Sequence, residues 1–211
     1  MKPSFYSFLV VIIFVLSSCG SKIIKEKWLN KEAPAIFKAR FETTKGNFDI
    51  EAHREWSPKA VDRLYQLIST DFYTDIALFR VVPNFVVQFG IHNNAELNNA
   101  WSNYKIEDEP VKKSNAEGTI AFARGGKESR TTQLFINLKN NARLDSLFYN
   151  DVSGFPVIAK VTEGMDVVKS FYDGYGEKPG YRQDSIQNKG NQYLKSNFPK
   201  LDYIKKAYIV K

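Results

Sequence analysis

The chain has 211 residues, of which 43% are hydrophobic and 14% aromatic, and a formal net charge of +7. This length suits one domain and is enough to bury a sizeable core. The lysines are scattered among acids rather than gathered on one periodic face, so no nucleic-acid partner is expected, and a single cysteine excludes an internal disulfide.

In chain order, the first element is a leader. Lys2 precedes an apolar run, Phe5–Leu16, that ends in Leu16-Ser17-Ser18-Cys19. A charged start, a short apolar centre and small residues at the end make a secretory signal. The run is too short to span a bilayer, which takes about 20 apolar residues. "LSSC" resembles a bacterial lipobox. That resemblance implies removal of residues 1–18 and a diacylglyceryl group on the sulfur of Cys19. Gly20 after the cysteine resembles lipoproteins directed to the outer membrane, facing the periplasm, with exposure at the cell surface left open. Two or more lipid chains hold a protein stably, at about 0.8 kcal/mol per buried methylene. Residues 19–34 then read as a lipidated N-terminus and a polar, Lys-rich tether without a clear period.

From Ala35 to His53 the pattern alternates. Phe37, Ala39 and Phe41, then Phe48, Ile50 and Ala52, flank the turn "TTKGN", which predicts a β-hairpin. Ser57 suits a helix N-cap and Pro58 the first helical position. Val61, Leu64, Leu67 and Ile68 share one helical face, which predicts a helix over 58–69. "FYTDIALFRVVPNFVVQFG" reads as two short strands around Val82-Pro83-Asn84, and "IHNNAELNNAWSN" as a polar loop. "GTIAFARGG", "QLFINLKNN" and "FPVIAKV" predict three more strands, and "EGMDVVKSFYDG" a second helix. Gly174 to Pro199 is a Gly- and Lys-rich tail, and "LDYIKKAYIVK" a closing strand. Many short strands with two separated helices argue for a β-barrel or sandwich rather than a parallel sheet.

Chemistry-bearing motifs are few. His53 and His92 stand apart, without HExxH or a cysteine cluster, so no metal site is expected. Neither G-x-S-x-G nor a phosphate-binding loop is present, and no cofactor is expected. What remains is a set of apolar strands carrying isolated polar residues: Arg80, Gln88, Arg124, Gln133 and Asn137. Arg80 and Gln88 are eight residues apart, an even spacing that puts both on one face of a regular strand.

Three blocks make the pattern specific. "LFRVVPNFVVQFG" is similar to F-H-R-V-I-P-x-F-x-x-Q-x-G of the cyclophilin family of peptidyl-prolyl isomerases. "GTIAFARGGKESRTTQLFINLKNNARLD" and "FPVIAKVTEGMDVVKSF" resemble two further family blocks, in the family's order and spacing from Ala35 to Phe171. The tail "GNQYLKSNFPKLDYIKKAYIV" is similar to one found in a secreted bacterial branch. The resemblance implies a mainly β fold over residues 35–211: a closed antiparallel eight-stranded barrel capped by two α-helices, with a C-terminal extension. It matches the family's catalytic arginine to Arg80, with Gln88 orienting that arginine or the substrate carbonyl. It matches the peptide groove to Phe85, Val86, Ala123, Arg124, Gln133, Phe135, Arg143, Leu144 and Phe155. Phe85, Val86, Phe135 and Leu144 form the implied proline pocket, and backbone groups at Ala123 and Arg124 pin the residue before proline. The chain departs from the pattern at Phe79, where the family has histidine, at Asn84 for glycine, and at Phe89, where many members have glycine. It departs also at Arg143 for an aromatic rim residue, and at Phe155 for histidine.

The implied activity is isomerisation of X-Pro bonds in exported or envelope polypeptides, by a monomer needing no metal or cofactor. The alternative is a cyclophilin-like binding module or chaperone that holds peptides without turnover. Retention of Arg80, Phe85, Gln88, Gln133 and Phe135 together favours the enzyme.

Overall fold

The computed structural model describes residues 24–210; the leader and Cys19 lie outside the described residues. Helix α1 (Glu26–Leu29) opens the described chain. Ile24 and Ala33, on either side of it, are buried, and the Ala33 N–H donates to Asp62 at 2.8 Å. This part of the expected tether therefore packs on the domain.

Strands β1 (Ile36–Thr43) and β2 (Gly46–His53) form the expected hairpin, in register from Ile36 opposite His53 to Thr43 opposite Gly46. The alternating apolar set points inward, and Phe41 stacks on Phe48 with ring centroids 4.9 Å apart. Helix α2 (Pro58–Ser69) buries Val61, Leu64, Leu67 and Ile68 as its period predicts. Its cap differs from expectation. Ser57 makes no side-chain bond to the helix; its hydroxyl donates to Glu109 instead. The Glu109 carboxylate accepts from the Lys59 and Ala60 N–H groups, at 2.8 and 3.2 Å. A carboxylate from a distant loop thus satisfies the helix's free donors and complements its dipole.

Strands β3 (Ile76–Ala77), β4 (Arg80–Val82) and β5 (Val86–Phe89) follow, then helix α3 (Ala95–Ser102), β6 (Thr119–Phe122) and β7 (Leu134–Asn137). A small hairpin, β8 (Phe148–Tyr149) with β9 (Val152–Ser153), precedes β10 (Val157–Glu163) and α4 (Met165–Lys169). Helix α5 (Gln183–Asn197) and β11 (Tyr203–Val210) end the described chain. Two expectations are corrected. The polar loop contains α3, held by the Asn94 side chain accepting from the Leu97 N–H and by burial of Trp101. The Gly- and Lys-rich tail contains α5, so the described residues hold more than two helices.

One sheet runs in the order β3-β11-β1-β2-β10-β6-β7-β5-β4. It is nine-stranded, where eight strands were expected, and no ladder joins its two edges among the described residues. The edges are nevertheless the same piece of chain, because β3 and β4 are separated only by Leu78 and Phe79. The sheet is curled, and its two edge strands are successive in the chain. Leu78 holds the bend with its N–H on the Asp202 carbonyl at 2.9 Å.

Three apolar clusters divide the buried residues. The largest fills the barrel, a second lies under α5, where Phe79 packs with Ala77, Ile91, Ile186, Leu194 and Leu201, and the third gathers Val86, Ala121, Phe135 and Leu144. An aromatic ring at position 79, in place of the family's histidine, is what this cover of Ile186 and Leu194 requires. Phe89 is buried against Phe41 and Tyr73.

Gly90, just past β5, has φ +108°, and a Cβ built there would lie 2.5 Å from the Thr132 carbonyl oxygen. Side chains are strained in that region and the contact is with backbone. Gly90→Ala should lose about 2 kcal/mol or more of stability. An unchanged urea midpoint would show that the backbone relaxes freely there.

Candidate active site

The site is built on the β4–β5 hairpin. Val82-Pro83-Asn84-Phe85 makes the turn, closed by the Phe85 N–H on the Val82 carbonyl at 3.0 Å. Asn84 has φ +56°, the positive value that a turn with Pro at its second position places at its third. Glycine serves there most cheaply, and Asn is among the few residues that tolerate it. The turn sets a register in which Arg80 lies directly opposite Gln88. The two share a face as cross-strand partners rather than through regular spacing along one strand.

Arg80 is anchored on two sides. Its Nη1 donates to Gln88 Oε1 at 2.9 Å. Its Nε and Nη2 donate to the two carboxylate oxygens of Glu177 at 2.6 and 2.8 Å. Glu177 stands just before the 3-10 turn Lys178–Arg182 that leads into α5. The hydrogen bonds from Arg80 hold the Glu177 carboxyl below the usual range, against the opposing effect of partial burial. From Gln88 a relay of amides continues: Gln88 Nε2 donates to Gln133 Oε1 and Gln133 Nε2 to Gln183 Oε1, each at 2.9 Å.

Beside this polar line lies a cavity of about 310 Å³. Val86, Phe135 and Leu144 are buried in its floor, with Phe85, Ala123 and Phe155 packed against them. Phe135 meets Phe155 edge-on at 5.7 Å. Phe85 is fixed by its carbonyl, which accepts from the Leu138 N–H and from Asn141 Nδ2, both at 2.9 Å. At the rim the Arg143 guanidinium lies 4.9 Å from the centroid of the Phe85 ring. Arg80, Gln88 and Arg124 complete the wall. Gln133 lines a smaller adjoining cavity with Gln88, Ala123 and Arg124. All eleven candidate residues therefore converge on one region.

Two of them make further contacts within the chain. The Ala123 N–H is already given to the Gln133 carbonyl at 2.9 Å. The Arg124 side chain, in the cavity wall, reaches the β8–β9 hairpin. Its donors meet the carbonyls of Tyr149 (3.0 Å), Val152 (3.1 Å) and Gly154 (2.9 Å), and its guanidinium lies 4.3 Å from the centroid of the Phe155 ring. Sequence reasoning missed Glu177, Gln183 and Leu147, which also meets the cavity. None lies in a local pattern: Glu177 and Gln183 reach their partners from 97 and 50 residues away.

Comparison with known proteins agrees with this geometry. Residues 38–190 match the family model described as cyclophilin type peptidyl-prolyl cis-trans isomerase/CLD. A peptidyl-prolyl cis-trans isomerase of Acinetobacter baylyi is 31% identical over 147 residues, covering 66% of this chain and 74% of that protein. Peptidyl-prolyl cis-trans isomerase A of Dickeya dadantii is 31% identical over 149 residues, covering 67% and 74%. The peptidyl-prolyl cis-trans isomerase-like 2 protein of Gibberella zeae is 32% identical over 65% of this chain, which spans only 23% of that longer protein. Among solved structures, a cyclophilin type isomerase of Cryptosporidium parvum superposes with a TM-score of 0.61 at 15% identity. The alignment covers 83% of this chain and 98% of that one, and at this identity it speaks for the fold.

Charge-assisted bonds from Arg124 are what hold the β8–β9 hairpin to β6. Arg124→Ala should cost about 2 kcal/mol and speed amide hydrogen exchange in residues 147–154. Unchanged exchange there would show that the hairpin is held by other contacts.

Proposed function

The chain belongs to the cyclophilin-type peptidyl-prolyl cis-trans isomerases, and on that premise we propose that it rotates X-Pro bonds of polypeptides laid across the Arg80–Phe135 groove. The observation that carries the reading is the placement of Arg80: a guanidinium fixed at the wall of an apolar cavity, with donors still uncommitted.

The barrier to be lowered is about 18–20 kcal/mol, set by conjugation across the amide. No bond is broken. In the twisted transition state the prolyl nitrogen regains its lone pair and becomes a hydrogen-bond acceptor that neither planar isomer presents. A donor aimed at it stabilises the twisted state selectively, which is the condition for acceleration. A guanidinium stays protonated and carries five N–H groups in a rigid fork. Glu177 takes two of Arg80's and Gln88 one, which leaves one on each terminal nitrogen. Arg80 acts as an electrostatic catalyst and transfers no proton. The ring of the substrate proline fills the pocket over Phe135, Val86 and Leu144. The apolar walls exclude water there and strengthen the bond from Arg80.

The substrates are proline-containing segments of exported or envelope proteins, and the chain acts from a lipid anchor at Cys19 on the outer membrane. The support for this part is the leader pattern and "LSSC". Wild type should fractionate with membranes and Cys19→Ser should be released or left unprocessed. Equal partition of the two forms, with no lipid mass on the wild type, would sink the anchoring assignment.

Arg80→Ala should lower kcat/KM in a proline-peptide assay by two or more orders of magnitude, equivalent to about 2.7 kcal/mol or more. Arg80→Lys should recover little, since a point charge lacks the planar fork. The melting temperature should move modestly, because Arg80 faces the groove. Near-normal turnover of Arg80→Ala would leave a peptide-binding module without catalysis as the better reading.

A further inference from the structure

The segment after the three family blocks, which end at Phe171, supplies a further residue to the site. We propose that Glu177 is a positioning residue for isomerisation, holding the Arg80 guanidinium in the one orientation that turns its free N–H groups to the groove. This rests on Arg80 acting as proposed above.

The geometry is that of a two-point clamp. The carboxylate spans Nε and Nη2 with bonds of 2.6 and 2.8 Å, the bidentate arrangement that fixes a guanidinium in plane as well as in place. Gln88 alone contacts one terminal nitrogen and leaves the group free to swing about its stem. With both partners present, rotation about the last side-chain bonds is blocked.

The clamp is itself anchored. The turn Lys178–Arg182 contains Pro179, which is buried. A Cβ on Gly180 would lie 3.2 Å from Arg80 Cδ, so the turn's backbone lies against the stem of the same arginine. At the far end of the turn Gln183 bonds Gln133, the next member of the amide line. Head, stem and neighbouring amides of Arg80 are thus all contacted by one short segment.

A carboxylate also opposes the charge it pairs with. Two features decide which effect dominates. Glu177 sits on the side edge of the guanidinium, and its side chain is 39% exposed against 21% for Arg80. Solvent therefore screens its field, whereas the orientation it imposes is not screened. A hydrogen bond to a developing lone pair depends steeply on direction, so the ordered guanidinium is the better catalyst.

The test is a double-mutant cycle on the full chain. Glu177→Gln and Glu177→Ala are each made in the wild-type and Arg80→Ala backgrounds, with kcat and KM from one peptide series and the melting temperature on the same preparations. Expected are a kcat lower by about tenfold, a KM within about twofold, and no further loss in the Arg80→Ala background. In nuclear magnetic resonance spectra the Arg80 Nε–H signal should be protected from exchange in wild type and lost in Glu177→Ala. Unchanged or raised kcat overturns the proposal, and so does an equal loss when Arg80 is already absent, which would mark the segment as structural only. An inactive wild type, or an Arg80→Ala variant as active as wild type, removes the functional reading and this inference with it.

Discussion

A guanidinium cannot sit in an apolar wall without partners, and that constraint organises the region around Arg80. Arg80 is only partly open to solvent, so hydration it loses against the cavity must be replaced by hydrogen-bond partners. Its partners must come from elsewhere in the chain. The β4–β5 register supplies Gln88 from directly across the hairpin, and the segment before α5 supplies Glu177. The Pro83-Asn84 turn, the amide line to Gln183 and the placement of the C-terminal helix all serve the same arginine. The site is therefore a property of two segments nearly 100 residues apart, not of one strand.

The same stretch of chain carries both edge strands of the sheet. Between Ile76 and Val82 the side chains serve different neighbours in turn. Phe79 and Val81 are buried, Phe79 under α5 and Val81 in the barrel, while Arg80 between them turns to the groove. Alternation along an extended chain makes this possible. The helix that covers Phe79 is entered through the turn that follows Glu177, the partner of Arg80. A segment that looks like an appendage in the sequence is thus the outer support of the active-site strand.

What could be read from the sequence follows from how local each signal was. The β1–β2 hairpin and α2 carry strong periods, and both lie where those periods put them. The groove residues stood in three blocks whose resemblance to one family implied a common site. Helix α5 was missed because its buried residues are sparse: Ile186 and Leu194 stand eight apart in a polar stretch. Gly190 interrupts the helix with φ +56° and ψ −147°, and a Cβ there would lie 2.3 Å from the Asn93 carbonyl oxygen. A glycine required for close approach looks, in sequence, like a loop. Helix α3 offers little more than Leu97 and Trp101 on one face. The barrel was misjudged only in its seam, since a bend at Leu78–Phe79 is set by tertiary contacts with Asp202 and α5 rather than by any turn residue.

Three guanidiniums border the groove, and each has a different kind of partner. Arg80 pairs with a carboxylate, Arg124 with a ring of backbone carbonyls, and Arg143 with the face of Phe85. The choice decides what each can do. Carbonyls of the β8–β9 hairpin engage the Arg124 head on every nitrogen, which ties it to the scaffold. The Phe85 ring attracts Arg143 through its quadrupole but accepts no conventional hydrogen bond, so Arg143 keeps its N–H groups for the rim. Only Arg80 combines a bidentate anchor with an uncommitted N–H on each terminal nitrogen, at the wall of the cavity. Of the three, it alone is both rigid enough to be aimed and incompletely satisfied, and a donor to a transient lone pair must be both.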